Sequence, residues 1–170
     1  MTELTPAHLV DAARQGDRTA FGDLYVRYAP MVHGILLARV PRAEVEDLVQ
    51  DVFMTAMQAV SQLRDASFFG PWLAAIARNR ANDRHRRWHR TEELPEEIPG
   101  AIHPEGEGLA VLAMIRTLPE AYRETLVLRL VEGMTGPEIA ERTGLSPGSV
   151  RVNLHRGMMQ LRAKLQGRAS

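Results

Sequence analysis

The sequence predicts an all-α protein, two small helical domains joined by a flexible acidic linker, the second of them containing a helix-turn-helix. Three observations predict it. Apolar residues recur at three- and four-residue spacing along most of the chain, the period of an amphipathic helix. Residues 91–108 interrupt that period with a Pro-, Gly- and Glu-rich run. Residues 135–165 carry start and stop signals for two helices separated by a tight turn.

Composition narrows the class. In 170 residues, 45% hydrophobic content with only 5% aromatic suits helices packed through Leu, Val, Ala and Met. The chain has no cysteine, which excludes a disulfide framework and a Cys-based zinc site. No apolar run approaches the roughly 18 residues of a membrane span, so no membrane insertion is expected. The opening MTELTPAHLVDAARQGD lacks a charged region leading into an apolar one, so a cytoplasmic location is expected. Formal net charge is zero, but the charge is segregated. Residues 1–90 hold 12 Lys/Arg against 10 Asp/Glu, residues 91–108 hold six Glu and no cation, and residues 109–170 hold 9 Lys/Arg against 5 Asp/Glu. Two mildly basic domains flank an acidic connector, and such local fields steer a polyanion.

In order along the chain, Thr5 as cap and Pro6 at the first position predict a short helix to Gln15, broken by Gly16-Asp17. Phe21, Leu24, Tyr25, Tyr28, Met31, Val32 and Ile35 predict a helix over residues 19–38, which Pro30 should kink or split. After Pro41, Val45, Leu48, Val49, Val52, Phe53, Ala56, Met57 and Val60 predict a helix over 44–62, exposing Glu46, Asp47, Gln50 and Asp51. The loop LRDASFFG holds adjacent phenylalanines, Phe68 and Phe69. Core burial is the usual fate of Phe, while one in a loop beside a basic helix can line a pocket for an unstacked base, and the sequence leaves both open.

A helix over 71–90 starts apolar, with Trp72, Leu73, Ile76 and Ala77, and then carries six Arg and one Asp between Arg78 and Arg90. Cations this dense repel one another unless an anion neutralises them, and a phosphate backbone is the natural one. His85 and His89 share a helical face without a carboxylate or thiol at ligand spacing, so no metal is expected. TEELPEEIPGAIHPEGEG, residues 91–108, is the linker between domains at 1–90 and 109–170. Beyond it come a helix over 109–117 and another over 120–132 that should bury Tyr122, Leu126, Val127 and Leu130.

The final stretch reads TGPEIAERTGLSPGSVRVNLHRGMMQLRAKL. Thr135 and Glu138 form a capping box, and Gly144 suits a left-handed helix stop. Ser146 and Pro147 restart the helix, whose inner stripe is Val150, Leu154, Met158, Leu161 and Leu165. Its outer face presents Gly148, Ser149, Val152, His155, Arg156 and Met159. Such a helix offers its N-terminal half to a major groove, with Arg151 and Arg156 near phosphates or guanine edges. No paired carboxylates at metal spacing, no Ser/His/Asp set and no Gly-rich phosphate loop point to an enzyme, and no cofactor is implied.

The motifs AFGDLYVRYAP, EDLVQDVFMTAM and FFGPWLAAIARNRANDRHRR, followed by LPEAYRETLVLRLVEGMTGPEIAERTGLSPGSVRVNLHRGMMQLR, resemble a bacterial extracytoplasmic-function (ECF) RNA polymerase sigma factor, the compact kind with regions 2 and 4 only. The resemblance implies a dissociable specificity subunit that directs core RNA polymerase to promoter DNA and catalyses no reaction itself. It implies polymerase docking through Asp47, Gln50, Asp51 and Phe53. It implies contact with the minus-ten element, including one flipped base, through the loop holding Arg64 and Phe68 and the helix holding Arg78, Asn79, Asn82, Asp83 and Arg86. It implies that Ser149, Arg151, Val152, Asn153, His155 and Arg156 read the minus-thirty-five element. An anti-sigma factor is the further partner it implies. The chain departs from the family pattern at Met57, Pro137, Val152 and Asn153, the last two at base-reading positions. The alternative is a stand-alone helix-turn-helix regulator, which would have no use for the acidic face around Asp47.

Overall fold

The computed structural model describes residues 4–90 and 104–169. Among them there are eight α-helices and no strand. Four lie before the linker: α1 (Pro6–Arg14), α2 (Arg18–Leu37), α3 (Arg42–Ala59) and α4 (Phe69–Arg90). Four lie after it: α5 (Pro104–Arg116), α6 (Glu120–Leu130), α7 (Gly136–Thr143) and α8 (Pro147–Arg168). Residues 91–103 of the expected linker lie outside the described residues, and its last five residues already belong to α5.

Local chemistry explains most boundaries. Thr5 caps α1 by accepting from the His8 backbone N–H, with Pro6 in the first turn. Asp17 caps α2, accepting from the N–H groups of Thr19 and Ala20 at 2.9 and 3.1 Å. Of the two outcomes the sequence allows at Pro30, the split does not occur: α2 runs on through it. The bond it removes would have gone to the carbonyl of Val26, a residue 73% exposed where water can substitute. Around it Tyr28, Met31, Val32 and Ile35 are at most 4% exposed, and their packing holds the helix through the missing bond.

The core of the first lobe lies where α2, α3 and α4 cross: Leu24, Val32 and Ile35, then Val52 and Ala56, then Leu73, Ala74 and Ala77. In the second lobe α6 is the central helix, packed against α5, α7 and α8 and also against α2 of the first lobe. That double contact buries every residue from Glu124 to Leu128 and leaves Leu130, at the helix end, 48% exposed. Leu128 rather than Leu130 is therefore the core leucine. The buried residues of both lobes form one continuous hydrophobic cluster.

In the helix-turn-helix each cap forms as its chemistry requires. Thr135 Oγ1 accepts from Glu138 N–H while the Glu138 carboxylate accepts from Thr135 N–H. Gly144 ends α7 at φ +79°, a left-handed conformation that a side chain would strain. Ser146 Oγ accepts from Ser149 N–H at 3.1 Å to start α8. Gly157, inside α8, sits where a methyl group would come within 3.0 Å of Leu126 Cδ1 and 3.2 Å of Tyr122 Cβ. Close approach of α8 to α6 thus outweighs the helix-propensity penalty of about 1 kcal/mol for glycine. Gly157→Ala is expected to destabilise the protein by up to about 2 kcal/mol, an overpacking loss larger than the propensity gain, read as a lower urea midpoint.

Candidate nucleic-acid interface

Three exposed surfaces and one buried junction carry the chemistry. The first surface is built on α4 and the turn before it. Asp65 accepts from Ser67 N–H and Oγ–H at 2.9 and 2.7 Å, which organises a 3-10 turn over Ala66–Phe68. Those two hydrogen bonds hold the Asp65 carboxyl below its ordinary range. The turn sends the adjacent phenylalanines in opposite directions. Phe69 is 1% exposed and packs its ring on Tyr28 and Trp72, with centroids 5.1 and 5.8 Å away. Phe68 is 59% exposed beside Arg64, also exposed. One ring supports the turn and the other is presented to solvent: the core reading holds for Phe69, and Phe68 is the ring left exposed.

Along α4, Asn79, Asn82, Asp83 and Arg86 are exposed. The arginines divide. Arg84 grips Glu44 of α3 through two hydrogen bonds of 2.9 Å, and Arg80 donates to Thr55 Oγ1 at 2.7 Å. Arg78 turns toward the second lobe. Protein groups thus engage three of the run's arginines, two of them through a carboxylate, which relieves part of the mutual repulsion within the molecule itself.

The second surface is α8. Ser149, Arg151, Val152, His155 and Arg156 are exposed, and Asn153 is half-buried. Val150 and Leu161 point into the core, 1% and 3% exposed, and fix the rotation of the helix so that the others face out. Between α7 and α8 opens a mostly apolar pocket of about 600 Å³, lined by Pro137, Ala140, Leu145, Val150 and Leu154 together with Glu141 and Arg151.

The third surface is α3. Asp47, Gln50 and Asp51 are exposed, as expected. Phe53 is not: it is 4% exposed, its ring against Tyr25 and Phe21 with centroids 4.6 and 6.5 Å away. Its part is to hold α3 against α2 from beneath. The apolar residues beside the acids are instead Met54 and Met57, 60% and 49% exposed. Met57 had been expected in the core. The signal was present in the spacing, since 47, 50, 54 and 57 recur at helical intervals on one side of α3.

The buried junction joins the lobes. Glu124 of α6, 4% exposed, accepts from Arg78 Nε and Nη2 at 3.0 and 2.6 Å and from Arg39 Nη2 at 2.7 Å. Burial alone would push its carboxyl up, but the two guanidiniums outweigh burial and hold it below the usual carboxylate range. Arg39 also reaches Glu120 at 2.8 Å, and Arg27 reaches Glu141 at 2.8 Å. Arg116 of α5 donates to the carbonyls of Leu37 and Val40, at 2.9 and 2.7 Å from Nη2, satisfying the C-terminal end of α2. His33 bonds to Glu132 across the junction, with Glu46 3.7 Å from its other nitrogen. Among the described residues no group of three or more His, Cys, Asp or Glu could hold a metal, and no helix is long and apolar enough to cross a membrane.

Comparisons with known proteins match these surfaces to named regions. Residues 24–91 match the family Sigma-70 region 2, and residues 108–161 match Sigma-70, region 4. The chain is 36% identical to the RNA polymerase sigma factor CarQ of Myxococcus xanthus, over 89% of this chain and 92% of that one. It is 32% identical to the ECF RNA polymerase sigma-E factor of Haemophilus influenzae, over 96% and 97%. Among solved structures it resembles CnrH in complex with the cytosolic domain of CnrY, with TM-score 0.66, 28% identity, and 95% and 97% of the two chains covered. It also resembles an engineered region 2 of sigmaE in complex with GTAAAA, with TM-score 0.51 and 34% identity over 55% of this chain and 99% of that one.

The His33 contact has a definite pH sign. Its hydrogen bond to Glu132 raises the imidazole above its ordinary value, against burial, with Glu46 assisting and Arg42 opposing. A raised value means that the contact stabilises fully below about pH 6.5 and is lost as pH rises through the folded-state value. The stability difference between wild type and His33→Gln should therefore shrink between pH 6 and pH 9, measured by denaturation at each pH.

Proposed function

The chain belongs to the ECF group of the sigma-70 family, a factor for promoter-specific transcription initiation, and from that premise we propose how its surfaces divide the task. The α4 surface, with Arg64, Phe68, Arg78, Asn79, Asn82, Asp83 and Arg86, takes the opened strand of the minus-ten element. Phe68 is the ring that meets an unstacked base, because it is the exposed one of the pair. The sigmaE region 2 bound to GTAAAA supports this use of the first lobe. The outer residues of α8 (Ser149, Arg151, Val152, Asn153, His155 and Arg156) lie in the major groove of the minus-thirty-five element. Asp47, Gln50 and Asp51 dock on core RNA polymerase, with Met54 and Met57 supplying the apolar centre of that contact. The whole acts in the cytoplasm, where the polymerase works, and catalyses no reaction of its own.

The single observation that carries this division is that Ser149, Arg151, His155 and Arg156 of α8 are exposed and Asn153 half-buried, while their neighbours Val150 and Leu161 are buried. The matched CnrH–CnrY complex supports an anti-sigma partner, and the apolar pocket between α7 and α8 offers such a protein a seat. The stand-alone regulator is disfavoured, since a lone DNA binder has no need of an exposed acid–methionine face on a separate lobe.

Run-off transcription with purified core polymerase, on a promoter found by start-site mapping after overexpression, tests the reading. Added protein should restore initiation from that start, and unchanged initiation would refute it. Arg156→Ala should weaken binding of the upstream element by about 1–3 kcal/mol if the guanidinium meets a base edge, measured by titration of the holoenzyme.

A further inference from the structure

We infer that Arg39 and Arg78 together form a binding site for a DNA backbone phosphate, and that Glu124 occupies it while the lobes are packed together. The inference rests on the promoter-binding reading above. Both arginines belong to the first lobe, and Glu124 comes from the second. Arg78 Nε and Arg39 Nη2 converge on the same oxygen, Glu124 Oε2, at 3.0 and 2.7 Å, while Arg78 Nη2 takes Oε1 at 2.6 Å. Two guanidiniums forked around one planar anion suit phosphate oxygens as well as a carboxylate.

The site is aimed by its own lobe. Arg39 Nη1 donates to the Ile35 carbonyl at 3.1 Å, so the side chain keeps its direction when Glu124 leaves. Its Nε is buried without a hydrogen-bond partner, on a side chain only 8% exposed. That is a spare donor which the carboxylate leaves unmet. The other acid on Arg39, Glu120, also belongs to the second lobe. Among the described residues no carboxylate of the first lobe pairs with either arginine. When the lobes part, two neighbouring cations lose their anions together, and their repulsion makes an incoming phosphate the replacement.

Parting is required by distance. The turn at Gly144, between α7 and α8, packs directly on Pro71 at the start of α4. The two promoter elements are about 25 base pairs apart, roughly 85 Å at 3.4 Å per step. One packed molecule cannot hold both. Arg78 shares its side of α4 with the exposed Asn82 and Arg86, so a phosphate at the vacated site lies on the path the strand already takes.

The test uses the full chain and a 40-base-pair duplex of arbitrary sequence, which reads phosphate contact alone. Glu124→Gln should bind it several-fold tighter than wild type, with the slope of log affinity against log salt steeper by about 0.9, one added phosphate contact. Adding Arg39→Ala to Glu124→Gln should return the slope to the wild-type value. Unchanged affinity and slope in Glu124→Gln, with thermal unfolding showing a folded protein, would overturn the inference. If that variant does not fold, Arg39→Ala in the holoenzyme decides: the promoter-binding slope should fall by about 0.9 with the transcription start unmoved, and an unaltered slope overturns the site. Failure of wild-type holoenzyme to initiate would instead count against the proposed function, with the free-chain comparison still deciding this site.

Discussion

A carboxylate held away from water between two guanidiniums is the interaction on which the packed form of this protein depends. Desolvating Glu124 costs several kcal/mol, and only close, well-aligned partners offset it. Arg39, in the turn that follows α2, and Arg78, on α4, meet that demand from two separate segments, so the ion cluster exists only when the end of α2, α4 and α6 are all in register. Removing one partner would strand a buried charge, typically at a cost of about 3–5 kcal/mol. The apolar contacts between α2 and α6 allow the lobes to meet, and the ion cluster specifies one way of meeting.

Charge makes sense in the same terms. The sequence totals zero because each basic lobe is matched by acids elsewhere, and the structure shows where part of that matching occurs. Glu44 serves Arg84 within the first lobe, whereas Glu120, Glu124 and Glu141 of the second serve Arg39, Arg78 and Arg27 of the first. The second lobe thus neutralises cations on the lobe that it covers. A polyanion competes with those acids, and opening the molecule exchanges one set of negative partners for another.

What could be read from the sequence was whatever chemistry acts over a few residues. The capping box at Thr135 and Glu138, the left-handed Gly144 and the Ser146-Pro147 restart are each settled by neighbours within one turn, and all three formed as expected. Periodicity located the helices and gave the outward face of α8. It failed where a helix is covered on two sides, as in α6, where Leu130, expected in the core, is exposed and Leu128 is buried. It failed again at Met57, which is exposed, while at Phe53 it held: that ring is buried, and it was the family resemblance that turned it toward the polymerase. Nothing local marks Glu124 as buried, since its partners lie 46 and 85 residues away in sequence. The assignment of α3, α4 and α8 residues to polymerase and DNA came from family resemblance. The geometry adds which of those side chains are free to reach out.

Among the described residues, the side-chain hydrogen bonds on the outward face of α8 are those at Ser149, which belong to the helix cap. Exposed substitutions of this kind usually shift stability by no more than about 0.5 kcal/mol. Positions such as Val152, His155 and Arg156 can therefore vary almost independently of the scaffold, while Gly157 and Val150 cannot. The chain separates what it recognises from what keeps it folded, and this leaves its promoter vocabulary open to rapid divergence, or to deliberate rewiring, at little structural risk.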